Sequence, residues 1–157
     1  MVKIYVFIIS LVICFYTFAS SKAEVSVTYP ARHISVPISK SAEDVYKFIS
    51  NPLNMPKWAA GLSQSTLTKS GEDWMAESPM GKVKVRFTPP NNLGVVDHDV
   101  TLPSGEVVHN PLRVLKNGKG AEVVFTLYRR PGVSDQEFEK DAKAVNKDLE
   151  TLKNIFK

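Results

Sequence analysis

His98 is the titratable residue best placed to do chemistry. In residues 95–102, strand alternation puts Val96, His98, Val100 and Leu102 on one face, and Val95, Asp97, Asp99 and Thr101 on the other. A face that is otherwise apolar is expected to turn inward and to carry the imidazole with it. A neutral imidazole in such a place can give or take a proton near neutral pH. It can equally be a satisfied polar contact in an apolar interior, the commoner fate of buried polar groups. Catalysis would need a second polar group converging on the same space.

Four further side chains on expected strands are candidates for contacts to a ligand: Trp74, Asn110, Arg113 and Tyr128. Trp74 shares a face with Ala76 and Ser78, a small-residue pattern that leaves room above the sheet. Arg113 is ambiguous, because both faces of 107–115 carry apolar residues and Pro111 interrupts pairing. Arg86 is expected to point outward with Lys82 and Lys84. The run Asp97-His98-Asp99 does not make a metal site, since neighbouring strand residues leave on opposite faces, and His33 and His109 could join only through tertiary folding. No glycine-rich phosphate loop, paired-histidine zinc helix or Gly-x-Ser-x-Gly turn is present. No metal or other cofactor is expected.

The elements that must position these residues are legible in outline. Residues 122–129 read as a strand, and Pro131-Gly132 turns the chain. Ser134 and Glu137 then form a capping box, and Phe138, Ala142, Val145, Leu149, Leu152 and Phe156 recur at helical spacing. That stripe must be covered by something apolar. Upstream, 25–29 and 33–38 read as strands, Ser41 caps a short helix over 42–50, and 53–58 forms a second short helical turn with Trp58 packing inward. A meander follows over 63–69, 73–78, 82–88, 95–102, 106–115 and 121–129, divided by Pro-, Gly- and Asn-rich turns. Links this short imply antiparallel pairing. The expected fold class is α+β: a curved antiparallel sheet laid around the long C-terminal helix, with two short helices after the first strand and a pocket between sheet and helix.

Residues 1–23 read as an export signal followed by one domain over 24–157. Lys3 supplies the positive start, 4–19 form an apolar run, and Ser21-Lys22-Ala23 offers small residues for a peptidase, with cleavage after Ala19, Ser21 or Ala23. The run is shorter than the roughly 20 residues of a spanning helix, so no stable membrane span is expected after cleavage; retention as an anchor is the alternative. Cleavage removes Cys14, the only cysteine, and takes Lys3 and Lys22 out of a net charge of +4. The remaining basic residues are scattered rather than arranged in a stripe with stacking aromatics, which argues against nucleic acid. A periplasmic or secreted protein, monomeric or weakly dimeric, is expected.

The order of elements resembles the START-like or SRPBCC superfamily, the helix-grip fold that includes polyketide cyclase/dehydrase-type proteins. The carriers are His33-Ile34-Ser35-Val36-Pro37-Ile38 leading into Ser41-Ala42-Glu43-Asp44-Val45-Tyr46-Lys47-Phe48-Ile49. Asn51-Pro52-Leu53-Asn54-Met55-Pro56-Lys57-Trp58 follows, and Glu122-Val123-Val124-Phe125-Thr126-Leu127 precedes the last helix. The resemblance covers roughly 32–157. It implies a cavity between sheet and helix holding a hydrophobic small molecule or lipid, but not one shared catalytic set. Two alternatives remain: a cyclase/dehydratase-like enzyme using His98 as general acid or base, and an interaction module without a ligand.

Overall fold

The computed structural model describes residues 28–79 and 81–157. The expected export segment and the strand expected over 25–29 lie largely or wholly outside the described residues. The order is β1 (Ala31–Ile38), α1 (Ala42–Ile49), two 3-10 turns (Pro52–Lys57 and Ala60–Leu62), β2 (Thr68–Ser70), β3 (Asp73–Ser78), β4 (Gly81–Phe87), β5 (His98–Thr101), β6 (Val107–Asn110), β7 (Leu112–Asn117), β8 (Gly120–Tyr128) and α2 (Asp135–Ile155). The expected α+β, helix-grip architecture is what the chain adopts.

Two antiparallel sheets form, in the orders β1-β8-β7 and β2-β3-β4-β5-β6. They join at one seam. The register that pairs Thr101 with Val107 and His98 with Asn110 carries on past β5 to pair Val95 with Arg113. Val96 N–H donates to Leu112 O at 2.9 Å, and Val114 N–H to Gly94 O at 2.9 Å. β6 and β7 are therefore one strand interrupted at Pro111, which has no N–H to give the ladder. The residues expected as a single strand over 106–115 divide there. The segment expected over 95–102 is regular only from His98, and the one expected over 63–69 shrinks to Thr68–Ser70.

Helix α2 begins as its sequence dictates. Ser134 Oγ accepts the Glu137 N–H at 3.2 Å and Glu137 accepts the Ser134 N–H at 2.9 Å, a reciprocal cap whose Ser half alone contributes about 1 kcal/mol. Phe138, Ala142, Leu149 and Leu152 are its buried stripe, and the stripe lies mainly across β1 with a lesser contact to β8. Each of the two leucines contributes roughly 1.5–3 kcal/mol on leaving water. Both ends are pinned. Near the start, Arg32 pairs with Glu139 and lies over the Phe138 ring at 5.3 Å. At the end, Phe156 meets Phe48 of α1 edge to face at 5.3 Å.

Candidate functional site

Cross-strand partners in an antiparallel pair share a face, so the register sorts the side chains. On the concave face, Trp74, Val85, Val100 and Val108 stand in one row, and Phe87, His98 and Asn110 in the next. On the convex face, Arg86 Nε donates to Asp73 at 2.6 Å and Asp99 meets His109 Nδ1 at 2.6 Å. These four make a polar ladder over β3–β6, with Arg86 and Asp99 directly opposed. The Asp73 carboxyl is held below its usual range, first by the hydrogen bond from Arg86.

Coverage of the concave face is uneven. Beneath α2 and α1, Ile34, Val36, Ile38, Leu112, Val114, Val123 and Phe125 are all buried. On the β3–β6 half, Val83 and Val85 are buried, while Trp74, Phe87, Val100, Leu102 and Val108 are only half-buried. The cause is the path of α2 along β1, the strand at the far edge from β3. An apolar strip is thereby left partly uncovered.

His98 lies within this half and is buried, the one buried polar or charged residue among those described. Phe87 lies against its ring at 5.2 Å. Its Nδ1 is 3.3 Å from Val96 O. A carbonyl can only accept, so Nδ1 carries the proton and Nε2 keeps its lone pair. Burial pushes the imidazole down to about 4, which leaves it neutral at pH 7. Asn110, its cross-strand neighbour, donates Nδ2–H to Val108 O at 3.1 Å.

The other expected ligand contacts divide by face. Trp74 stands on the concave side, one row from His98. Arg113 lies on the opposite side from Leu112 and Val114, paired with Asp97 and donating to Leu112 O at 3.2 Å. Tyr128 is exposed, opposite Ala31, on the other face from Leu127. Neither is brought together with His98. A pairing pattern hidden by Pro111 made the Arg113 face unreadable from alternation alone.

Sequence reasoning treated Trp58 only as inward packing. It is 5 % exposed, and its indole Nε1–H is buried with no acceptor. The turn that follows it, Ala60–Leu62, packs on β3, and Ala60 N–H donates to Asp148 of α2 at 3.0 Å. Partial burial of Asp148 raises its carboxyl above the usual range. Among the described residues no group of three or more His, Cys, Asp or Glu side chains could hold a metal ion. No described helix is long and apolar enough to cross a membrane.

No family model and no curated protein matches this sequence. Solved structures do. XoxI from Bacillus cereus superposes with a TM-score of 0.63 at 17% identity, over 80% of this chain and 94% of its own. KanY superposes with a TM-score of 0.63 at 13% identity, over 83% and 99%. DynU16, from the dynemicin biosynthetic locus, gives 0.60 at 9% identity, over 79% of this chain and 46% of its own. Likeness at this identity shows a shared fold.

Proposed function

We propose that this protein binds a hydrophobic small molecule or lipid on the half of the concave sheet that α2 leaves uncovered, as a member of the START-like or SRPBCC group. One observation carries the reading: Trp74, Phe87, Val100, Leu102 and Val108 are half-buried on a face whose other half is closed. Covering about 300 Å² of ligand surface there is worth on the order of 7 kcal/mol gross. Association consumes several kcal/mol of that, so affinity depends on a few placed polar contacts. Neutral His98 offers an acceptor at Nε2, and Asn110 offers a donor. The positive start and apolar run in 1–23 support export as the setting.

A second reading has its own support. Asn110 stands beside His98 in register, the second polar group that acid–base chemistry on an enolisable substrate would require. A general base whose pKa lies near the working pH is worth roughly 10²- to 10⁴-fold in rate; burial, which pushes His98 down to about 4, makes it a weaker base than that.

Titration of the protein with a neutral apolar fluorophore tests the binding reading. Saturable one-to-one binding, weakened by Val100→Asp, is expected. Fluorescence that rises linearly to the solubility limit counts against it.

A further inference from the structure

We propose that a groove between α1 and the end of β7 is a second, separate binding site, and that it takes a small amphipathic monoanion: one carboxylate on a short alkyl or aryl body. The groove has a volume of about 750 Å³, within the range of small-molecule sites. It shares none of its lining with His98, Trp74, Asn110 or Trp58.

The wall of this groove is built, not incidental. Residues 89–95 are organised by Asn91, whose Nδ2 donates to Pro89 O at 3.0 Å and to Val95 O at 2.9 Å. Its Oδ1 accepts Leu93 N–H at 3.0 Å and Val95 N–H at 3.1 Å. Its own N–H donates to the Tyr46 hydroxyl of α1 at 2.7 Å. Gly94 closes the loop against β7 with φ +71°, where a Cβ would sit 2.1 Å from Val114 O. What this rigid loop presents is Leu93, 74% exposed, and across the groove Leu115 is 47% exposed. A preorganised wall that holds a leucine in water costs little to bind against, because its ordering entropy is already spent.

Charge selects the occupant. Lys47 and Lys116 line the groove, and neither joins an ion pair among the described residues. Glu43 also lines it without an ion-pair partner there, so the lining carries one net positive charge. A single carboxylate neutralises that balance, whereas a dianion would leave the filled groove with a net negative charge. The tail has Leu93, Val114 and Leu115 to cover.

The test is a titration of the ¹⁵N-labelled full chain with sodium decanoate, with decanol as the neutral control. Saturable shifts centred on the amides of Leu93, Val114, Leu115 and Lys116 are expected. Lys47→Gln with Lys116→Gln should weaken decanoate about tenfold while leaving decanol within about threefold. Leu93→Ser should weaken both. Shifts confined to Trp74, Val100 and Val108 would assign the ligand to the concave face and overturn the second site while sparing the first. Unsaturable shifts, or equal loss of decanoate and decanol in the lysine variant, also overturn it.

Discussion

The Asp97 carboxylate accepts the Leu112 N–H at 2.8 Å, and so secures the chain at the residue after the proline that interrupts its strand. The same carboxylate pairs with Arg113, and its side chain is only 15% exposed. Two sheets are thus held in one register by a side chain at the point where the backbone ladder cannot be completed. Asp97→Ala strands that amide, which is expected to cost about 1–3 kcal/mol in urea unfolding. Asp97→Asn keeps an acceptor and should cost less. A loss under about 0.5 kcal/mol in the alanine variant would mean that the flanking backbone bonds suffice.

Burial of His98 makes stability depend on pH in a definite window. The unfolded imidazole titrates near 6.5 and the folded one near 4. Between these values the unfolded chain holds the extra proton, so stability rises with pH. The contribution is complete above about 6.5, is lost as pH falls toward 4, and changes no further below that. It amounts to about 3 kcal/mol over the window. His98→Asn should flatten the difference in unfolding free energy between pH 6.5 and 4, whatever its effect at pH 7. A parallel slope in both proteins would place the titration elsewhere.

How far the sequence alone reaches can be judged from these residues. Alternation puts His98 with Val96 and Val100, and the fold does the same, because one apolar face dictates the register. Ser134 and Glu137 mark the start of α2 by local chemistry, independent of anything distant. Pro111 marks a break, but the partners on either side of it are non-local, so the faces of Arg113 and Asn110 were unreadable. The 89–95 loop depends on Tyr46, which lies 45 positions from Asn91; no periodicity announces such a bond. The groove left a faint trace in the apolar Leu93 within a turn of proline and asparagine, and the lone indole of Trp58 left none.

Two glycines separate strain from collision. Gly118 has φ +59° and open space around it, whereas Gly94 has φ +71° and Val114 O in the way. Gly118→Ala should cost about 1–2 kcal/mol, the penalty of a left-handed L-residue. Gly94→Ala adds displacement of β7 and should cost at least about 3 kcal/mol. Equal losses by chemical denaturation would show that the loop and β7 separate easily, and would weaken the case for a rigid groove wall.

Trp58 tests whether a ligand reaches the interior, because its buried N–H has no acceptor among the described residues. Removing an unsatisfied donor while keeping most of the ring should be nearly neutral, whereas truncating a well-packed Trp to Ala costs about 3–5 kcal/mol. Trp58→Phe is therefore expected to stay within about 1 kcal/mol of the parent in denaturant unfolding, or to exceed it. If the indole meets a carbonyl or hydroxyl of the bound molecule, the same variant should lose about tenfold in affinity for an oxygen-bearing apolar ligand and little for a plain hydrocarbon. A stability loss of about 2 kcal/mol or more would mean that packing or an ordered water already holds the indole in the free protein. The indole would then have no claim on a ligand, and recognition would rest on His98 and Asn110 alone.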